Sequence, residues 1–382
     1  MPGNRELDSN QQLSQLLAEA GVSKIVYSLV MPETEKTIDA VYDGMDCDLI
    51  GSKSPGPMPT DRYLEAGREQ FHNLFREAWT QKQDLVHEGF FRSWQSWTAD
   101  VVHFDVSAYP FTYPTAGASE GLRESIHDYA TRARADARQP RIHVFEGEYE
   151  GFAAYAAAAA IRVDSHDRTN WREAIEAIGP REQFYISQPS AVDGRVWADF
   201  DQFVSALLAR EPTAEIMLDL SYVGCVARPF EINAQYPNIS AIFFSLSKPA
   251  GVYYHRIGGM YSQRELLGLF GNKWFKNVAS LSIGSAFMKR YGVHELPIKY
   301  AEVQHQVIEA VNRSLDLRLQ PADIFLLGIG RPSKMPTVLE RFLVRGSSSE
   351  QMVRVCLTPR MAHAINPKLN PSVTPRYYEN LG

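Results

Sequence analysis

Lys248 stands in Ser245-Leu246-Ser247-Lys248-Pro249-Ala250-Gly251, and Arg256-Ile257-Gly258-Gly259 follows closely. A lysine just after an apolar strand, flanked by small hydroxyl residues and glycine, is partly desolvated, which lowers its pKa. Attack on a carbonyl needs that neutral amine. Ser245, Ser247 and the planar fork of Arg256 suit an anion, and a phosphate dianion best of all. For a lone Ser-x-Ser-Lys the ordinary reading is a solvated loop lysine. The chemical reading depends on what accompanies it.

Three upstream segments accompany it. Ile216-Met217-Leu218-Asp219-Leu220-Ser221-Tyr222 ends an apolar strand with a carboxylate, which is costly unless a cation or donors meet it. Tyr222, three residues on, can reach the same ligand. A helix-capping aspartate beside a core tyrosine is the structural alternative. Thr115-Ala116-Gly117-Ala118-Ser119-Glu120-Gly121 leads into an amphipathic helix with Leu122, Ile126, Tyr129 and Ala130 on one face. Small residues there leave amides open to an anion, and the helix dipole favours one, although many such turns only cap a helix. Glu148-Tyr149-Glu150-Gly151 places an aromatic ring where a planar ligand could stack.

These segments need a scaffold, and the chain has the length for one. Its 382 residues suit two or three domains with a sizeable core. Ser9-Asn10-Gln11-Gln12 reads as a capping box for a helix with Leu13, Leu16 and Leu17 on one stripe, ended by Gly21. Gly51 to Thr60 is rich in Gly, Ser and Pro and reads as a crossing, with a helix after it that turns Leu64, Phe71, Leu74 and Phe75 inward. Apolar β-rich runs at 101–105, 142–145, 184–187, 216–219 and 239–246 alternate with helical patterns at 121–130, 151–160 and 199–208. That alternation predicts a mostly parallel sheet wrapped by helices, with ligands at the carboxyl ends of its strands. Beyond about residue 270 the pattern changes to a long helix with Val303, Val307, Val311 and Leu315 inward, then strand-like runs at 324–328, 342–344 and 353–357. The expected organisation is an N-terminal segment over 1–50, a large domain over 51–270 and a smaller α+β domain over 271–382.

Composition removes other classes. A net charge of −6 without a basic block argues against nucleic acid as a partner. Cys47, Cys225 and Cys356 have neither paired nor metal-ligand spacing, so a reducing cytoplasm is expected and no disulfide framework. The N-terminus lacks a signal-peptide pattern. The longest apolar run, Phe152 to Ile161, is too short to span a membrane and reads as a buried helix. His143 and His255 lack partners at metal-ligand spacing, so no metal is expected. Phe90, Phe91, Trp94 and Trp97 read as core or a dimer surface.

In chain order, then, there is a phosphate cradle, a stacking aromatic, an Asp-x-x-Tyr, and a lysine followed eight residues later by an arginine. From Gly51 to the C-terminus this resembles the aminotransferase class I/II family, fold type I enzymes of pyridoxal 5′-phosphate (PLP). The resemblance implies an α/β large domain plus a smaller α+β domain, PLP as cofactor, and a homodimer whose subunits share active sites. It makes Lys248 the Schiff-base lysine and the base at the substrate α carbon. Asp219 becomes the partner of the pyridine nitrogen, and Tyr222 a donor to the ring oxygen. Ser245, Ser247 and Arg256 would hold the phosphate with Gly117, Ala118 and Ser119, and Tyr149 would stack on the ring. Met352-Val353-Arg354-Val355-Cys356-Leu357 resembles the segment that grips the substrate carboxylate, which points to Arg354, with Arg360 as second choice.

One departure stands out. The family usually carries Asn-Pro-x-Gly after the central strand, and aligning on Gly194 puts Ala191 where that Asn belongs, leaving Gln188 or Ser190 as substitutes. The expected activity is transfer of the amino group of a free L-amino acid. The alternative is elimination, replacement, cyclisation or carbon–carbon bond formation, with an S-adenosylmethionine-type substrate among the options. A transcription regulator built on this fold would need a winged-helix domain. Only about 50 residues precede the cofactor region, and they contain no basic recognition helix.

Overall fold

The computed structural model describes residues 3–44, 84–273, 277–347 and 349–367. The alternating middle of the chain forms a seven-stranded sheet. Its strands are β1 (Phe111–Thr115), β2 (Arg141–Phe145), β3 (Arg162–His166), β4 (Gln183–Ser187), β5 (Glu215–Asp219), β6 (Ile239–Ser245) and β7 (Gly258–Ser262), in the spatial order β1-β7-β6-β5-β4-β2-β3. Neighbours run parallel except β7, which is antiparallel to both β1 and β6. Strands β4, β5 and β6 are buried along their whole length, as apolar runs covered by helices on both faces must be.

Two strands escape a reading by hydrophobic runs. β3, Arg-Val-Asp-Ser-His, is one of the two edge strands, and its charged residues suit a sheet edge. β7, Gly-Gly-Met-Tyr-Ser, looks like a loop until its surroundings are seen. A Cβ on Gly258 would lie 2.5 Å from the Phe244 carbonyl and 2.7 Å from the Gly117 Cα, so glycine lets β7 pass this close to the turn after β1. The run expected as a strand at 101–105 contributes only Val102–His103, paired with Ile232–Asn233 outside the main sheet.

The first helix, α1 (Gly3–Glu19), begins earlier than the capping-box reading placed it, so Ser9 lies inside the helix. Gly21 follows its end at φ +72°. Of the expected stripe Leu17 is buried, whereas Leu16 is exposed. Helix α2 (Asp84–Thr98) carries Phe90, Phe91, Trp94 and Trp97 into the core, with Trp94 stacked on Phe244 at 4.4 Å between ring centroids. Helix α3 (Ala118–Ala135) leaves the turn after β1. The Gly51–Thr60 segment, the helix expected after it and Cys47 lie outside the described residues.

A second, antiparallel sheet follows helix α4 (Glu295–Leu315), whose Val307 and Val311 are buried. It consists of β8 (Gln320–Pro321), β9 (Leu327–Gly330), β10 (Val344–Arg345) and β11 (Met352–Cys356), in the order β8-β9-β11-β10. The strand expected at 342–344 is mostly the helix Val338–Leu343, opened by a Thr337/Glu340 capping box, with only Val344 extended. The N-terminal segment is laced to β11. Ser23 and Cys356 exchange both backbone hydrogen bonds, and the Thr358 hydroxyl donates to the Tyr27 carbonyl at 3.1 Å. Cys225 and Cys356 are free and buried. No helix among the described residues is long and apolar enough to cross a membrane.

Candidate active site

At the carboxyl ends of β2, β4, β5 and β6 lies a cavity of about 340 Å³. The crevice beyond the strand ends is where an open α/β sheet leaves room for a ligand. Every candidate site residue read from the sequence lines it except Gln188, Ser190 and the second-choice Arg360.

Lys248 enters from the turn after β6. Its Nζ donates to the Val26 carbonyl, and the Tyr253 ring centroid is 5.7 Å away. Burial strips water from the ammonium, and Arg256 and Arg354 add repulsion, so its pKa is pushed down to about 8. The amine is therefore neutral well below the ordinary lysine range. Trapping of PLP by borohydride at this residue should rise with pH around a midpoint near 8, where an exposed lysine would respond near 10.5. Mass spectrometry of the peptide carrying Lys248 checks this.

Asp219 ends β5, is 7% exposed, and accepts the Tyr185 hydroxyl at 2.8 Å and the Ser221 amide at 2.9 Å. Burial raises its pKa, and those hydrogen bonds oppose the rise. Among the described residues no cation pairs with it. A buried carboxyl held only by neutral donors can accept a positive N–H. Tyr222 lines the same space, and its hydroxyl makes no hydrogen bond among the described residues.

The opposite end of the cavity is an anion cradle. Gly117 caps α3 at φ +80°, and a Cβ there would sit 3.0 Å from Arg256 Nη2 and 3.5 Å from Ser245 Oγ. Any side chain would fill the space those groups share. Arg256 Nη2 donates to the Ala116 carbonyl and to Ser119 Oγ at 2.9 Å. The Ser245 hydroxyl bonds Ser247 Oγ at 3.0 Å and accepts the Ser247 amide at 3.1 Å. The helix N-terminus and the guanidinium together suit a phosphate.

Arg354, on β11, is 6% exposed and donates through Nη1 to the Ala191 carbonyl, while its Nε has no hydrogen-bond partner among the described residues. No carboxylate among the described residues pairs with it, so it is a buried cation with donors to spare. Burial and the neighbouring Arg345 hold its pKa below the ordinary arginine value.

Gln188 is a correction. Its side-chain amide is consumed by the Trp197 backbone, donating to the carbonyl and accepting the amide, both at 3.0 Å, and it points away from the cavity. Ser190 is likewise engaged, with Arg168 at 3.0 Å. Neither supplies the amide that Ala191 lacks. Arg360 donates instead to the Ala20 carbonyl. His143 is held between His166 and Glu182, each at 2.8 Å, away from the cavity.

The sequence reading also missed contributors. Tyr185 and Ser187 sit on β4, inside a run read only as apolar. Glu148 precedes the chosen Tyr149. Ile25 and Val26 reach the site from far away in sequence, and Arg345 and Glu150 form an ion pair at its edge. No local pattern marks these residues, although the position of Glu148 beside Tyr149 was a usable hint.

Solved structures with this architecture supply the comparison. An aminotransferase from Staphylococcus aureus superposes with a TM-score of 0.57 over 89% of this chain and 92% of its own, at 13% identity. The PLP-bound C-S lyase from Staphylococcus hominis gives 0.56 over 76% and 85%, also at 13% identity. A methionine aminotransferase from Escherichia coli gives 0.54 over 74% and 82%, at 14% identity. The fold is that of the fold type I PLP enzymes. No family model matches the sequence, and no curated protein does. Within this shared fold, the crevice at the strand ends is where Lys248, Asp219, Arg256 and Arg354 converge.

Proposed function

We propose that the protein is a PLP-dependent enzyme acting at the α carbon of a free L-amino acid, and that it transfers the amino group to a keto acid. The observation that carries this is the presence, in one cavity, of a half-buried lysine of lowered pKa and a buried aspartate that no cation among the described residues meets. The residues fit the cofactor at three points. Asp219 offers a carboxylate to a protonated ring nitrogen, Gly117, Ser119, Ser245 and Arg256 offer a phosphate cradle, and Lys248 offers an amine. When bound, PLP supplies an electron sink for negative charge at the substrate α carbon.

This chain's residues do the rest. Lys248 Nζ, with a pKa lowered to about 8, is available in part as the neutral amine near physiological pH and takes the α proton. Asp219 holds positive charge beside its carboxylate, and Tyr222 offers its hydroxyl to the ligand. Arg354 grips the substrate carboxylate with its fork. Arg354→Lys replaces that fork with a point charge, so KM for the amino acid should rise roughly 100-fold with a smaller change in kcat. Steady-state kinetics with the preferred donor check this, and an unchanged KM would exclude the assignment. The free cysteines favour a reducing cytoplasm, and shared sites in this fold favour a homodimer. A fully active monomer in analytical ultracentrifugation would refute the second.

A second reading is favoured by Ala191. Its methyl stands where an amide donor is expected, which suits elimination, replacement or cyclisation, S-adenosylmethionine among the substrates. One of the proteins similar in fold is a C-S lyase. Incubation with a panel of L-amino acids and S-adenosylmethionine decides between them. Stoichiometric keto acid and pyridoxamine phosphate establish amino transfer, and a released leaving group without pyridoxamine phosphate establishes the alternative.

A further inference from the structure

The cavity holds a second buried carboxyl that the roles given to Lys248, Asp219 and Arg354 leave unused. Glu148 lies just beyond β2, is 4% exposed, and lines the same space. Its Oε1 accepts the Ser187 amide at 3.1 Å, and its Oε2 is 2.6 Å from the Ser187 hydroxyl. That hydroxyl also accepts the Ala191 amide at 2.7 Å, so Glu148 and Ser187 form a unit fixed to the backbone beside Ala191.

Four titratable groups face the unit. Asp219, from the end of β5, repels a second negative charge. Arg168, from the turn after β3, attracts it, but Arg168 is already held by Asp193 at 2.6 Å and Glu350 at 3.3 Å. Tyr185 on β4 and the adjacent Tyr149 are neutral phenols. No cation among the described residues pairs with Glu148. Burial, the largest influence, is opposed by the two Ser187 hydrogen bonds and reinforced by Asp219, and the pKa is pushed up to about 7.

Counting protons shows what this does. With Glu148 ionised, the unit has one hydroxyl proton, and the 2.6 Å contact consumes it. With Glu148 protonated it has two, so one bridges the contact and the other is available to an acceptor in the cavity. Ala191, alongside, offers only a methyl group.

We propose that Glu148 and Ser187 form a protonated donor pair that hydrogen-bonds an oxygen of the molecule bound in this cavity, and that ionisation of the pair withdraws the bond. The identity of that molecule as PLP rests on the function proposed above. The geometry of the pair does not.

Infrared difference spectra of the apo-protein between about pH 5.5 and about pH 8.5 test the pair itself. Wild type should lose a protonated-carboxyl band with a midpoint near 7, and Glu148→Gln should lack that band. PLP affinity, followed by fluorescence, tests the donor. Across that midpoint wild type should weaken about tenfold more than Glu148→Gln, whose amide donates at every pH. If Glu148→Gln does not fold, Ser187→Ala serves instead, because losing a donor to the ionised carboxylate moves the band's midpoint upward. Absence of a titrating band, or identical pH responses of PLP affinity in wild type and Glu148→Gln, would overturn the proposal. A wild type that shows the band yet binds no PLP at any pH would leave the donor pair standing and remove the PLP reading instead.

Discussion

Lys248→Ala is expected to abolish the borohydride-fixed covalent adduct with PLP and to lower turnover roughly 10⁴-fold, the upper end of what one positioned acid–base group contributes. The loss follows from two duties of one atom. Among the described residues Nζ is the only lysine nitrogen lining the cavity, and burial keeps it neutral enough both to attack a carbonyl and to accept a proton. Lys248→Arg should fare no better, since a guanidinium stays charged at any working pH. PLP should still bind the alanine variant non-covalently, because the phosphate cradle and Asp219 are untouched. Retention of the adduct in Lys248→Ala, located by peptide mass spectrometry, would move the chemistry to another amine.

Asp219→Asn should produce two changes of opposite sign. In the apo-protein the carboxyl is buried without a cation, and its folded pKa is raised. The protonated form is therefore favoured by the fold, and the stability it provides at low pH is lost as pH rises through that raised value. Asparagine has no charge to acquire; its oxygen can still accept the Ser221 amide, and its NH2 can donate to the Tyr185 oxygen. The apo variant should thus melt higher than wild type at neutral pH. PLP affinity should fall roughly 100-fold, since a buried charged partner is removed. An aspartate that merely caps a turn predicts the reverse: a lower melting temperature and unchanged PLP binding. Calorimetry of the apo-protein and a PLP titration separate the two.

The elements with strong local signatures were legible in the sequence. β2, β4, β5 and β6 are short apolar runs, and α4 shows a long helical period, because burial on a defined face imposes those patterns. Lys248, Asp219, Tyr222 and Arg256 stood out as candidates for a related reason, and Arg354 through the family resemblance. Each sits at a strand end, beside that strand or within it, where small or polar residues interrupt an apolar run. β3 and β7 were not legible. An edge strand needs no apolar alternation, and the glycines of β7 answer to a close approach by Gly117 from another part of the chain.

The sequence by itself determined an α/β fold and, through local burial and spacing, marked a lysine, an aspartate and Arg256 as candidates for one ligand, with Arg354 added by the family resemblance. Only the tertiary structure decided which neighbours complete the site. It spent Gln188 on Trp197, brought the Val26 carbonyl to Lys248, and set Glu148 and Ser187 beside Ala191. The Val26–Lys248 and Glu148–Ser187 contacts join residues distant in sequence, and even the nearer ones depend on how the loop after β4 is folded, which no local pattern encodes.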